Sequence, residues 1–67
     1  MLTTDYLPDR LLNTRSVVEA TTLSRPELHR RVLDGRFPAP LRLGERRVAW
    51  RASDVAQFIS GLSTVRA

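Results

Sequence analysis

The segment 36–40 (RFPAP) divides this chain, because neither a regular helix nor a central strand can run through it. Pro38 and Pro40 flank a single alanine, and a proline pushes the residue before it towards an extended backbone. Phe37 is the only aromatic residue of the segment, so we expect it to anchor this stretch on the core. The residues on either side must therefore form separate structural elements.

A short helix is predicted before this segment, over about 15–21, with Thr14 as its N-cap. Val17 and Ala20 are one turn apart and are expected to face the core. Residues 22–24 then form a short break, which leaves room for a second helix.

The second helix is predicted over 24–34. Ser24 and Glu27 form the S-x-x-E pattern of a capping box, which satisfies free backbone N–H groups of the first turn. Pro26 suits this turn, because proline lacks only an N–H that the helix does not use there. Gly35 follows at the position where a left-handed backbone commonly ends a helix.

A β-hairpin is predicted over 41–50. Apolar and polar residues alternate in 41–43 (LRL), and 48–50 (VAW) show the same period of two around a loop that contains Gly44. Trp50 is expected in the core rather than as a platform for base stacking, because it alternates within a strand.

A last helix is predicted to begin at Ser53, its N-cap, with Asp54 favourable in the first turn. Its apolar residues recur at i, i+3, i+4 and i+7, which is typical of a helix packed on a core. These residues are Val55, Phe58, Ile59 and Leu62.

The predicted fold class is α+β and mostly helical. The order helix, break, helix, hairpin, helix is that of a winged helix-turn-helix, with a two-stranded β-hairpin as the wing and a C-terminal helix. We expect a flexible N-terminal lead-in over 1–10, one domain over 11–62 and a frayed C-terminus over 63–67.

The composition argues against several classes of protein. Cysteine is absent, which excludes disulfides and thiolate metal sites and favours a reducing cytoplasm. No apolar run approaches the roughly 20 residues of a membrane span, and the first residues lack the regions of a signal peptide. We therefore expect a cytoplasmic protein without a membrane partner.

The charge favours a nucleic-acid partner. The net charge is +4, and all eleven basic residues are arginine. Guanidinium groups suit bidentate contacts with phosphate and with guanine. Combined with a helix-turn-helix, whose second helix enters the major groove, this predicts double-stranded DNA as the partner.

The second helix carries the predicted major-groove contacts. With Leu28 pointing inward, a rotation of about 100° per residue puts Arg30 near the solvent face and His29 on its shoulder. Arg25 lies in the first turn, where recognition helices usually meet base edges. Arg25 and Arg30 are the main candidates, whereas Ser24 is first of all a cap. The predicted major-groove set is Ser24, Arg25, His29, Arg30 and Arg31.

Further DNA contacts are predicted outside this helix. Arg46 and Arg47 lie at the hairpin tip, and arginine suits a narrow minor groove. The alternatives are a solvated turn for Arg46 and a place along the strand for Arg47.

Three more residues are phosphate candidates. Thr14 and Arg15 open the first helix, whose N-terminus either binds a phosphate or is simply capped. Arg36 follows the second helix and is either a phosphate clamp or an ion-pair partner of Asp34.

No catalytic or metal site is expected. His29 is the only histidine and the carboxylates are scattered, whereas a metal site needs several ligands. No nucleophile, base and orienting group are recognisable as a set. We therefore expect no enzyme activity, no metal, no cofactor and no small-molecule substrate.

Residues 11–59 resemble the AlpA-type phage regulators and the related excisionases, which are winged-helix proteins akin to the DNA-binding head of the MerR family. The more specific part is 34–55 (DGRFPAPLRLGERRVAWRASDV), with G-R-F-P-x-P, a strand, a basic tip and W-R-x-S-D-V. The resemblance implies a recognition helix over 24–34 and a wing over 41–50. It also implies a bacterial or phage-infected cell, and either regulation of prophage genes or DNA bending that directs an integrase towards excision.

Two residues depart from the family pattern. Position 22 is usually glycine there, and a left-handed backbone at Thr22 would be strained for a β-branched side chain. Position 31 is often apolar. Arg31 either adds a DNA contact or extends a long stem past the core edge to solvent.

Two functions of different classes remain open on the residues alone. The first is a sequence-specific DNA-binding regulator, with an integrase or RNA polymerase as a further partner and cooperative self-association on DNA. The second is a protein-interaction module, resembling an antirepressor, whose basic face docks on an acidic protein. Only the first should prefer one DNA sequence over another.

Overall fold

The computed structural model describes residues 9–65 and contains three short strands and three helices within them. The fold is α+β and mostly helical, with a winged-helix arrangement, as predicted. In chain order the elements are β1 (Leu11–Leu12), α1 (Thr14–Thr21), α2 (Arg25–Leu33), β2 (Leu41–Arg42), β3 (Val48–Arg51) and α3 (Ala52–Ser60).

The sheet has three antiparallel strands in the order β1-β3-β2. The predicted hairpin is confirmed, because Leu41 pairs with Ala49 and Arg42 with Val48. The third strand was not predicted: Leu11 pairs with Arg51, so that β1 closes the other edge of β3. Residues 11–12 therefore belong to the sheet, with Leu12 packed against the core and Leu11 half-exposed.

The predicted N-cap of α1 is wrong by one residue. Asn13, and not Thr14, is the cap, because its side-chain oxygen accepts a hydrogen bond from the Ser16 N–H at 2.8 Å. Thr14 is the first residue of the helix. Asparagine and threonine both cap helices well, so residue type alone did not separate the two positions.

The break after α1 depends on a left-handed residue. Thr22 has φ 62° and ψ 10°, and its N–H donates to the Val18 carbonyl at 2.8 Å. A β-branched residue is strained in this conformation. The strain expected from the sequence is therefore present, and the chain nevertheless makes the turn.

Both ends of α2 lie where predicted, although the Glu27 carboxylate, the second half of the capping box, is engaged by Arg31. The Ser24 hydroxyl accepts from the Glu27 N–H at 3.2 Å, and Gly35 has φ 75°. The Gly35 N–H donates to the Val32 carbonyl and the Arg36 N–H to the Arg31 carbonyl, at 3.1 and 2.8 Å. This pair of bonds is a Schellman motif, which ends the helix immediately before the proline segment.

The core is apolar and has the aromatic residues at its centre. Phe37 is 4% exposed and lies edge-on to Trp50, with ring centroids 6.3 Å apart, and 4.5 Å from the Phe58 centroid. The Trp50 indole Nε1 donates to the Pro38 carbonyl at 2.8 Å. Both Phe37 as an anchor and Trp50 as a core residue are confirmed. The buried cluster is Val17, Leu28, Phe37, Trp50 and Val55.

The predicted N-cap of α3 is wrong, because Ser53 lies inside the helix and Arg51 occupies the cap position without a side-chain cap bond. The cap is supplied from a distance: the Asp9 carboxylate accepts from the Ser53 N–H and from its hydroxyl, each at 2.9 Å. The Arg10 carbonyl accepts from the Ala52 N–H at 2.7 Å. Residues 1–8 of the expected lead-in lie outside the described residues.

The apolar stripe of α3 is only partly buried. Val55 is 2% exposed and Phe58 packs on the core, as predicted. Ile59 and Leu62 are 41% and 59% exposed, so their predicted place in the core is wrong. The helix ends at Ser60, so that Leu62 lies beyond it, and no element within residues 9–65 covers Ile59.

Replacing Thr22 with glycine should raise the free energy of unfolding by up to about 1 kcal/mol. Relief of left-handed strain, about 1–2 kcal/mol, outweighs the entropy that glycine adds to the unfolded chain. Urea unfolding at neutral pH measures the change. Thr22→Ala is the control, because it removes the β-branch but keeps Cβ. Equal stability of the two variants would contradict the role of φ.

Replacing Asp9 with alanine should destabilise the domain at neutral pH but not in acid. The backbone N–H of Ser53 and then its hydroxyl lower the pKa of Asp9 below its ordinary 3.8. A carboxylate of lowered pKa stabilises the folded state above its unfolded pKa, and this contribution disappears as the pH falls through the folded pKa.

The measurement is urea unfolding of both proteins at pH 7 and at a series of lower pH values, over which the difference in the free energy of unfolding should shrink as Asp9 is protonated in the folded state. Glu45→Ala is the matched control, because it removes the same charge from the exposed loop of the wing and leaves Asp9 in place. A difference between wild type and Asp9→Ala that is independent of pH would rule out this capping role.

Candidate nucleic-acid interface

The outer face of α2 carries three of the predicted reader residues. Leu28 is 2% exposed and turns towards the core, which fixes the rotation of the helix. Arg25, His29 and Arg30 are all exposed on the remaining faces, with Arg30 nearly opposite Leu28. Ser24 is occupied as the N-cap. The orientation expected from the sequence is therefore present.

The arginines fall into two groups by their acidic partners. Four of those within residues 9–65 form ion pairs with carboxylates on their own or an adjacent element. Six have no carboxylate within ion-pair distance in this part of the chain, and five of these six lie on α2 or the wing. The paired group is Arg15, Arg31, Arg36 and Arg51; the unpaired group is Arg10, Arg25, Arg30, Arg42, Arg46 and Arg47.

Arg31 differs from its neighbours on α2. Its guanidinium lies 3.4 Å from the Glu27 carboxylate one turn earlier, and the side chain is only 29% exposed. The half-buried stem favours the second interpretation of this residue, in which it passes the core edge and ends at an intramolecular partner. Glu27 thus serves the helix twice, through its N–H at the cap and through this ion pair.

The wing presents its arginines on a loop that another arginine organises. Arg46 and Arg47 are exposed. The Arg42 guanidinium donates to the Gly44 and Glu45 carbonyls, at 3.4 and 3.0 Å, and so braces the loop from the strand below. Arg42 was not singled out from the sequence. Its place between two leucines in a strand was the available indication that it points away from them.

The phosphate candidates outside α2 and the wing have other contacts. The Arg15 guanidinium lies 3.8 Å from the Glu19 carboxylate, with both side chains largely exposed. The Arg36 guanidinium lies 2.9 Å from the Asp34 carboxylate, which is the intramolecular partner that the sequence offered as one alternative. Thr14 lies at the start of α1 beside the groove described next.

A groove of about 410 Å³ separates α2 from the wing, and we call it the helix–wing groove. Its floor is buried and its walls are mainly apolar, while the exposed side chains of α2 form one rim. The groove therefore brings α2 and the wing to one surface. It is lined by Thr14, Arg25, Leu28, His29, Val32, Pro40, Val48 and Trp50.

Within residues 9–65 no group of three or more histidine or acidic side chains is placed to hold a metal ion. None of the helices described here combines the length and the apolar character that crossing a membrane requires.

Comparison with known protein families gives a match over most of the chain. The family model described as prophage CP4-57 regulatory protein (AlpA) matches residues 10–62, which is most of the chain. No curated protein and no solved structure matches significantly.

Proposed function

Because the chain belongs to the family of the prophage regulatory protein AlpA, we propose that it is a sequence-specific double-stranded DNA-binding regulator. In this proposal α2 enters the major groove, and the wing lies on the backbone or in the minor groove. The family description, a regulatory protein, argues against an enzyme.

The observation that carries the proposal is the grouping of the unpaired arginines. An arginine held by a nearby carboxylate offers a phosphate little net charge, whereas Arg25, Arg30 and Arg46 have no such partner within residues 9–65. All three lie on α2 or the wing, the elements that flank the helix–wing groove. A DNA duplex placed there would neutralise them and release its counterions.

The proposed roles follow from position. Arg30 is exposed nearly opposite the buried Leu28 and is the proposed reader of a base edge, for which a bidentate contact with guanine is the common arginine mode. Arg25 and His29 flank it towards the wing. Arg46 and Arg47 at the wing tip position the domain on the backbone. Arg31, Arg36 and Arg15 contribute less, because each is engaged by a carboxylate.

Either biological role uses this surface. Repression or activation requires occupation of a site near a promoter, and excision requires DNA bending beside an integrase. One module of this size buries roughly 600–1,000 Å² of protein surface, which gives limited specificity. We therefore include cooperative self-association on repeated sites, or an integrase or RNA polymerase partner, in the proposal.

The decisive experiment is selection of bound DNA from a random duplex pool at about physiological salt, read by sequencing. A short enriched motif is expected. Weak, salt-sensitive binding without enrichment would contradict sequence-specific recognition and favour the interaction-module alternative, in which the basic face docks on an acidic protein.

Arg30→Ala should weaken binding to the selected site by roughly 1–3 kcal/mol and relax the base preference at one position, because a bidentate base contact is lost. Fluorescence anisotropy on the selected and a scrambled duplex measures both effects. Arg51→Ala is the matched control, since it removes the same charge from an arginine paired with Asp54. An equal loss of affinity on the two duplexes would show that Arg30 does not contact a base.

Arg46→Ala should weaken binding to the selected and the scrambled duplex by the same factor. A backbone contact carries no sequence information, and its loss should reduce the slope of log K against log salt by about 1. The same titrations, repeated over a range of salt concentrations, test this. A loss confined to the selected duplex would place Arg46 on a base.

A further inference from the structure

We propose that the helix–wing groove seats one deoxyribose and its phosphate, and that its apolar walls select deoxyribose over ribose. This inference rests on the proposed function, because the duplex must lie against α2 and the wing for a sugar to reach the groove. It goes further by assigning a sugar-specific contact to residues outside the predicted DNA-binding set.

The size and position of the groove fit this occupant. Its volume of about 410 Å³ is within the range of small-ligand pockets, roughly 300–1,000 Å³, and exceeds what one sugar and its phosphate require. It opens between the recognition helix and the wing. The backbone of one strand must pass between these two elements when the first reads the major groove and the second contacts the flanking groove.

The rim of the groove is suited to the phosphate. Arg25 is exposed at the N-terminal end of α2, lines the groove and has no carboxylate partner within residues 9–65. Its guanidinium can donate two parallel hydrogen bonds to phosphate oxygens. Glu27, the nearest carboxylate in sequence, is engaged by Arg31 and does not compete. His29 adds a ring N–H donor on the same rim.

The walls are suited to the sugar. Val32 on α2, Val48 on β3 and Pro40, just before β2, all line the groove. None of these three side chains carries a hydrogen-bond donor or acceptor. The C2′ methylene of deoxyribose is apolar and packs against such a wall. A ribose would bring a 2′-hydroxyl against these three side chains, where it loses water and none of the three offers a hydrogen bond in return.

Replacing single deoxyribonucleotides of the duplex with ribonucleotides should therefore weaken binding strongly at one position. The probe is the selected duplex, with one ribonucleotide placed in turn at each position of both strands, and binding is measured by fluorescence anisotropy. We expect a loss of about tenfold at one position per bound protein, the consequence of one buried unpaired hydroxyl, and small effects elsewhere.

A control separates the hydroxyl from the change in sugar pucker. A 2′-fluoro nucleotide at the sensitive position favours the ribose pucker but lacks the hydroxyl donor, so it should bind nearly as well as deoxyribose. A loss as large as that of ribose would overturn the inference, because the protein would then be reading duplex shape rather than the sugar's polarity.

Protein variants connect the effect to the groove. Val48→Thr places a hydroxyl on the wall with little change of side-chain shape, and threonine suits a strand. It should reduce the ribose penalty at the sensitive position by several-fold while the fold, checked by circular dichroism, is retained. Val32→Thr tests the wall on α2. Val65→Thr, at a residue 91% exposed, is the matched control and should leave the penalty unchanged.

The outcomes distinguish this inference from the proposed function. If the unmodified duplex shows an enriched, specifically bound site but ribonucleotides have equal effects at all positions, the groove inference fails and the proposed function stands. If the ribose penalty is unchanged in both Val48→Thr and Val32→Thr, the groove inference likewise fails and the proposed function stands. If no duplex is bound specifically, the proposed function fails, and the groove inference fails with it.

Discussion

The packing of Phe37 against Trp50 and Phe58 is the interaction on which the rest of the structure depends. Phe37 comes from the proline segment, Trp50 from the central strand and Phe58 from the last helix. Aromatic pairs of this kind contribute about 0.5–1.5 kcal/mol beyond their buried area. The indole also donates to the Pro38 carbonyl, so the segment is held by both apolar packing and a hydrogen bond. The proline segment links α2 to the wing, and its attachment fixes the spacing of these two elements.

The arginines differ in whether a nearby carboxylate neutralises their charge. No polar or charged residue within 9–65 is buried, so electrostatics contributes little to the core. The ion pairs are exposed or half-exposed, and such pairs stabilise a fold by about 0–1 kcal/mol. Their main effect is on the distribution of charge. They neutralise arginines such as Arg15 and Arg36, and most of the unpaired positive charge is left on α2 and the wing.

The sequence predicted those features that local chemistry determines. The ends of α2 followed from Ser24, Pro26 and Gly35, and the extended segment followed from its two prolines. The inward direction of Leu28 then placed Arg30 on the outer face. The wing was recognisable because its strands alternate. In each case the deciding interaction lies within a few residues of the chain.

The features that were missed depend on residues distant in the sequence. Ser53 matches a helix cap by residue type, but the carboxylate that binds its N–H comes from Asp9, 44 residues away. Strand β1 has only two residues and no alternation, and it exists because β3 offers a free edge. The helix–wing groove is of the same kind, because Val32 and Val48 come to line one groove only once Phe37 has fixed α2 relative to the sheet.

Contacts between residues distant in the sequence also determine how a domain of this size can distinguish one DNA sequence from another. Charge alone binds any duplex, and in the proposed function the exposed arginines supply this sequence-independent affinity. Discrimination requires contacts that penalise the wrong partner, and these need groups held at fixed positions. Arg30 is held by the rotation of α2, and the groove walls are held by the core beneath them. Leu28 and Trp50 form the buried floor of the groove as well as part of the core. In the proposed function, the packing that stabilises the fold therefore also holds the interface rigid enough to discriminate between DNA sequences.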